Sequence, residues 1–300
     1  SKAVGGSIVN EGTITTDLFG IATLATDTPT TISGDIKNSG TINADFVGIT
    51  VDGSDIGGKI INDGTINMGS GVGSSQPVGI LINNSPTVLE NNGEINASGG
   101  FGLLVSGNGV EVKDVINTGT INAGSIRIAG TDSEGNGTDF VNTGTLRLDS
   151  SNTAEDSASN PFTIYSQVSG DFTSSVDGNA PDTLIEFTLT QLWVDTTSPL
   201  GLLDIGEDAY FGGLLSLDFE EGLTDTFSLG DSFTLIRVGG EILSTFDNTN
   251  NYAGAAFGAN DSLRFELSYT ESSVLGTVVS YSAPGQVAEP STAALSLLML

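Results

Sequence analysis

The 300-residue sequence contains neither cysteine nor histidine. Without cysteine there is no disulfide and no thiolate nucleophile, and zinc sites of the usual kind lose both of their preferred ligand types. Without histidine there is no imidazole, the side chain that most often transfers protons in enzymes. These two absences exclude most familiar catalytic machinery, although they do not fix the compartment, because many bacterial surface proteins also lack disulfides.

Basic residues are scarce as well: 8 Lys and Arg stand against 37 Asp and Glu, for a formal net charge of −29. A protein that binds nucleic acid needs cationic side chains to displace condensed counterions, so the sequence excludes nucleic acid as a partner. Anionic membrane surfaces attract basic segments for a similar reason and are excluded too. The acidic surface favours solubility and contact with divalent cations.

A nine-residue phrase recurs six times in the first half of the chain, at Ile8–Thr16, Ile36–Ala44, Ile60–Met68, Leu89–Ala97, Val115–Ala123 and Phe140–Leu148. The central glycines are Gly12, Gly40, Gly64, Gly93, Gly119 and Gly144, separated by 28, 24, 29, 26 and 25 residues. That period is typical of one coil of a β-solenoid, whereas a propeller blade needs about 40 residues. With 41 glycines and few helix formers, the sequence predicts an all-β, right-handed parallel β-helix with coils of about 25 residues.

Each position of the repeat has a predicted role. An apolar residue opens the phrase and another follows two places after the glycine, so both should point inward and stack from coil to coil. An asparagine stands two places before the glycine in every copy, at Asn10, Asn38, Asn62, Asn91, Asn117 and Asn142. Asparagine tolerates the left-handed backbone of a corner, and stacked asparagine side chains can hydrogen-bond to one another.

The remaining chain lacks this phrase. We expect the parallel β-helix over residues 1–148, a polar loop or linker over 149–180, a C-terminal β cap or atypical coils over 181–284, and a partial sorting tail over 285–300. A solenoid has open ends that invite further pairing, and the aromatic residues concentrated after residue 181 would close one of them.

The repeats resemble the parallel β-helix passenger regions of bacterial adhesins and autotransporters. The tail Glu289, Pro290, Ser291 and Thr292, followed by AALSLLML, is similar to the PEP-CTERM sorting signal, in which a Pro-Glu-Pro motif precedes a membrane helix and a basic cluster. This resemblance implies export and processing by an exosortase. Ala288 replaces the first proline, and the eight residues after Thr292 are fewer than the roughly 20 that span a bilayer, so a truncated chain and an incidental match both stay open.

One loop has the composition of a calcium site. Asp132, Glu134 and Asn136 place oxygen ligands at alternate positions, and Asp139 follows, as at the start of a calcium-binding loop. Thr143 stands where such a loop carries a bidentate glutamate, so a polar loop between coils is the alternative. Calcium is the one candidate cofactor.

Enzymatic function is the main alternative, since parallel β-helices also host polysaccharide lyases and hydrolases. Arg127 and Arg147 are the candidate bases, and a carboxylate pair at catalytic separation carries no information among 37 acids. We therefore assign no catalytic or cofactor-binding residues. Ice or crystal binding is a second alternative, through a file formed by Thr13, Thr41, Thr65, Thr120 and Thr145 that Glu94 interrupts.

The sequence thus favours a non-enzymatic, exported structural protein at the surface or in the extracellular matrix of a bacterium. Its mechanism would be adhesin-like display or self-assembly into filaments, as in biofilms. The expected partners are exopolysaccharide or other surface components, together with further copies of the chain that associate through exposed coil ends.

Overall fold

The structure, a computed structural model, describes residues 2–25, 30–71, 75–108, 112–131, 134–149, 153–155, 161–163, 166–174, 183–190, 202–258 and 261–282. Of the described residues, 63% lie in strands and 3% in helices, and they form a β-solenoid with coils of about 28 residues. The predicted β-helix is confirmed, with coils slightly longer than expected.

The strands of the first half are β1 (Lys2–Val4), β2 (Ile8–Asn10), β3 (Thr13–Thr16), β4 (Phe19–Leu24), β5 (Thr30–Ile32), β6 (Ile36–Asn38), β7 (Thr41–Ala44), β8 (Val47–Asp52), β9 (Asp55–Ile56), β10 (Ile60–Asn62), β11 (Thr65–Met68), β12 (Val78–Asn83), β13 (Thr87–Asn91), β14 (Glu94–Asn108), β15 (Val112–Asn117) and β16 (Thr120–Thr131).

The strands of the second half are β17 (Asp139–Asn142), β18 (Thr145–Leu148), β19 (Thr153–Glu155), β20 (Pro161–Thr163), β21 (Ser166–Val168), β22 (Phe172–Thr173), β23 (Leu184–Leu189), β24 (Leu203–Ile205), β25 (Ala209–Tyr210), β26 (Leu214–Phe219), β27 (Ser232–Val238), β28 (Ile242–Ser244), β29 (Tyr252–Phe257), β30 (Leu263–Tyr269) and β31 (Ser273–Ser280). Two short 3₁₀ helices span Leu223–Thr226 and Thr249–Asn251.

Equivalent positions of successive repeats pair in register. One nine-stranded sheet has the order β2-β6-β10-β13-β15-β17-β22-β25-β28, and its strands are paired in parallel. Within it Ile36 pairs with Ile8 on one side and with Ile60 on the other. Ile36 and Ile60 are fully buried, because alternate side chains of a strand point to opposite faces and this file faces the core.

The parallel ladder continues beyond the last copy of the repeat. Residues 166–173 lie in the interval expected to be a loop or linker, yet they form strands β21 and β22. Phe172 pairs with Phe140 on one side and with Ala209 on the other. The sequence hides this continuation, because Ser174 takes the buried position that asparagine occupies in the earlier coils.

An antiparallel cap covers the larger sheet at the C-terminal end of the solenoid. Strand β27 ends the parallel pairing that runs through β21 and β24, and β31 pairs with it in the antiparallel sense. Strand β30 pairs with both β29 and β31. Five phenylalanine rings pack beneath these strands with centroids 5.2 to 6.2 Å apart: Phe219, Phe227, Phe233, Phe257 and Phe265. The predicted aromatic cap therefore lies at this end, against the larger sheet.

Candidate functional site

The six repeat asparagines form one buried column inside the solenoid. Each Nδ2 donates to the Oδ1 of the next asparagine along the axis, with distances of 2.8, 2.8, 2.7, 2.7 and 2.6 Å from Asn10 to Asn142. Several of these amides also donate to a backbone carbonyl, as Asn62 does to Gly64 at 3.3 Å. Because every buried amide has a partner, the column satisfies polar groups that would otherwise destabilise the core.

Five of the six repeat glycines, all except Gly12, are required by a close approach of neighbouring backbones. A Cβ at Gly40, Gly64 or Gly93 would lie 2.0 Å from the carbonyl oxygen of the preceding glycine. None of the repeat asparagines or glycines has a positive φ. The explanation of the asparagines by a left-handed corner is therefore wrong, and side-chain stacking is the physical reason for that column.

A second asparagine column lies on the outer face, one residue after the inward isoleucine. Nδ2 of Asn67 donates to Asn43 at 3.0 Å, and the same contact recurs between Asn96 and Asn67 and between Asn122 and Asn96. The predicted threonine file stands beside it in register. The recurring Thr-Ile-Asn sequence contains the pattern from which this outer column could have been predicted, but the prediction covered the inner asparagines alone.

A column of acidic residues runs along the outer face of the nine-stranded sheet, just before the inward residue of each of its last five strands. Its members are Asp114, Asp139, Asp171, Asp208 and Glu241. Oδ1 of Asp139 accepts the N–H of Asp171 at 2.9 Å, and Oδ1 of Asp171 accepts the N–H of Asp208 at the same distance. Oδ1 of Asp208 in turn accepts the N–H of Glu241 at 2.8 Å.

Three carboxylates meet within this column. Oxygen atoms of Asp139, Asp171 and Glu207 lie within 4.8 Å of one another, and Glu207 also accepts the N–H of Gly137 at 3.0 Å. Burial raises the pKa of Asp139, and the charges of Asp171 and Glu207 raise it further, whereas the N–H of Asp171 opposes them. Oxygen ligands in this arrangement have the chemistry that calcium prefers.

The predicted calcium loop contributes one residue to this group. Asp139 is a member of the three-carboxylate group, while Asp132 lies outside the described residues. Glu134 and Asn136 are exposed, and Glu134 is not a member of the group. The sequence reasoning missed Asp171 and Glu207 because they come from the next turns, at separations set by loops of variable length.

Replacing Asp139 by asparagine is expected to raise the melting temperature at pH 7 by about 1–3 °C. The folded-state pKa of Asp139 lies above its unfolded value, so the folded protein gains stability as the pH falls and loses it as the carboxyl ionises. The advantage of Asp139→Asn should therefore shrink as the pH approaches 4. Thermal melts of both proteins across pH 4–7 measure it, with Asp225→Asn as a control at an exposed position. If the two proteins differed in melting temperature by the same amount at every pH from 4 to 7, the raised pKa of Asp139 would be contradicted.

The predicted sorting motif, Glu289, Pro290, Ser291 and Thr292, lies outside the described residues. Within the described part of the chain, no helix combines the length and apolar character needed to cross a bilayer. Arg127 and Arg147 lie on strands β16 and β18, and Arg147 pairs with Glu186 at 3.1 Å.

Comparison with known proteins finds neither a matching family nor a matching curated protein. The class of the protein is therefore defined by its fold, a β-solenoid built from parallel repeats.

Proposed function

We propose that this chain is an exported structural protein of a bacterial surface or extracellular matrix, acting as an adhesin-like rod without catalytic chemistry. The observation that carries the proposal is the unbroken ladder from β2 to β28, in which backbone pairing is reinforced by the buried asparagine column. A rod of this kind holds outer faces at fixed positions along its length. Export and exosortase processing at Glu289–Pro290 are part of the same proposal, from the resemblance of the tail.

Self-association through the first coil is the mechanism that the geometry supports best. Within the described residues, strands β1 to β4 each pair on one side only, with the second coil. Four large apolar side chains are 42 to 50% exposed in this coil, at Val4, Val9, Leu18 and Leu24. Strand edges that carry exposed apolar residues favour pairing with another chain.

The two ends of the solenoid differ, which bears on the kind of assembly. At the C-terminal end the antiparallel cap pairs with β27, while β28 is paired on one side only within the described residues. A head-to-tail filament would therefore have to displace strands β29 to β31 or pair through β28 alone. Two first-coil edges can instead meet around a two-fold axis, and such an interface closes on itself. We therefore propose a dimer that joins two rods end to end, in place of an open filament.

The acidic surface restricts the surface components that the rod can contact. A net charge of −29 repels polyanionic glycans at ordinary ionic strength. The exopolysaccharide partner in this proposal is therefore a neutral polymer, or an acidic one bridged by calcium.

Light scattering coupled to size-exclusion chromatography tests the dimer. Over a protein concentration series at roughly physiological salt, we expect a monomer–dimer equilibrium that the double substitution Leu18→Lys and Leu24→Lys shifts at least tenfold towards monomer. The control is Leu214→Lys with Leu229→Lys, which makes the same charge change at two leucines exposed elsewhere. Monomers at every concentration, or an equal effect of the control pair, would refute the proposed contact, and electron microscopy would reveal filaments if they form instead.

A further inference from the structure

The acidic column has an apolar neighbour on the same outer face. In strands β15, β17, β22 and β25, the residue after the inward one pairs in register from strand to strand and points outward: Ile116, Val141, Thr173 and Tyr210. Tyr210 is 42% exposed, and the other three are half-buried. We call this file the apolar column. Over four rungs of the sheet, carboxylates thus lie beside a file of side chains that is apolar or aromatic except at Thr173.

We propose that this face is the docking surface for a cationic amphipathic helix of a partner protein. Charge complementarity carries the choice of occupant, because the column of stacked carboxylates repels itself and gains most from Lys or Arg placed against it. A second copy of the chain, with 8 basic residues against 37 acidic ones, offers few cationic side chains to place against this face. A carboxylate can accept up to about four hydrogen bonds, so the bond from the next rung leaves acceptor capacity for a cation.

The spacing of the rungs favours a helix over an extended strand. Neighbouring rungs are about 4.8 Å apart, whereas side chains on one face of a strand repeat at about 6.7 Å. An α-helix repeats about every 5.4 Å, so its successive turns stay close to successive rungs. The column from Asp114 to Glu241 is about 19 Å long, which corresponds to a helix of about 13 residues.

The first half of the same face sets the limit of this surface. Its outward residues include Lys37 and Lys59, which form ion pairs with Asp63 and Glu90. A cationic helix would meet these lysines if it extended further towards the N-terminus. The proposed contact is therefore confined to the last five rungs.

The test uses a synthetic amphipathic helix of about 14 residues, with lysines along one edge and leucines beside them, labelled for fluorescence anisotropy with the full chain. We expect binding that weakens at least tenfold in the double variant Asp171→Asn and Asp208→Asn, which keeps the side-chain oxygens that accept backbone N–H groups. The matched control, Glu221→Gln with Asp225→Asn, removes the same charge from an exposed turn and should change the affinity less than twofold.

A second pair of substitutions tests the contribution of the apolar column to peptide binding. Ile116→Thr with Val141→Thr keeps the branched shape of the outward side chains and should weaken binding at least threefold, with the melting temperature checked for each variant. A scrambled peptide of equal charge should bind at least tenfold more weakly. The proposal is overturned if the peptide does not bind, if the control pair weakens it as much as the face pair, or if the scrambled peptide or the threonine variant binds equally well.

Discussion

Replacing Gly64 by alanine is expected to lower the melting temperature of the solenoid by about 3–8 °C, a large effect for one added methyl group. The new Cβ would lie 2.0 Å from the carbonyl oxygen of Gly40. That oxygen accepts the N–H of Thr65 at 3.0 Å, so neither coil can move without loss of ladder pairing. Overpacking against a fixed backbone costs about 1–3 kcal/mol or more, and thermal melting followed by circular dichroism measures it.

The repeat supplies its own control for this substitution. Gly12 occupies the same position in the first coil, but no atom lies within 4 Å of its added Cβ. Since Gly12 has no positive φ, alanine there should be neutral or stabilise by up to about 1 kcal/mol through the unfolded state. If Gly12→Ala and Gly64→Ala destabilised equally, the glycines would be needed for backbone conformation and not for the close approach.

Replacing Asn62 by alanine is expected to cost about 2–4 kcal/mol, or roughly 5–10 °C in melting temperature. Asn62 accepts a hydrogen bond from Asn38 and donates one to Asn91, and all three side chains are buried. Its loss leaves a buried donor on one side and a buried acceptor on the other, besides a cavity. Chemical denaturation of the full chain measures the change in the free energy of unfolding.

Two asparagines serve as references for Asn62→Ala. Asn67 makes the same kind of side-chain contact on the outer face, where water replaces a lost bond, so Asn67→Ala should cost less than about 1 kcal/mol. Asn10 ends the inner column and bonds to one asparagine neighbour, so its substitution should fall between the two. Equal losses for Asn62→Ala and Asn67→Ala would show that burial of the column contributes nothing.

Both substitutions act at the interface between neighbouring coils, which is where a solenoid stores its stability. A coil cannot bury its inner face alone, and the register of each coil is set by the one before it. The same dependence explains why the proposed edge contact of the first coil matters: within the described residues, its strands β2 and β3 each have a neighbour on a single side.

Much of the fold could be predicted from the repeat. Each inward isoleucine recurs at a fixed distance from its glycine, and stacking of equivalent positions follows because parallel strands in register place like beside like. The inner asparagine column follows from the same pattern. The reason for the repeat glycines does not follow from it, since a glycine could equally serve a left-handed turn. That reason required the backbone φ and the distance to the preceding carbonyl oxygen.

The acidic face could not be predicted in the same way. Asp139 and Asp171 are 32 residues apart and Asp171 and Asp208 are 37 apart, because the connecting segments vary in length and the Asn-Gly phrase is lost. Only the pairing of Phe140 with Phe172 and of Phe172 with Ala209 brings these carboxylates onto one file. A residue type that is common throughout an acidic chain carries no positional signal.

The sequence repeat was thus sufficient to predict the class of fold. A coil built from a short phrase of apolar residues, asparagine and glycine can bury its inner face only by stacking on the next coil. The partners of the acidic side chains depended on how the longer, irregular turns close. Loop length alone does not set register, and it is the register of distant strands that placed Asp139 beside Asp171 and Glu207 and the apolar column beside them.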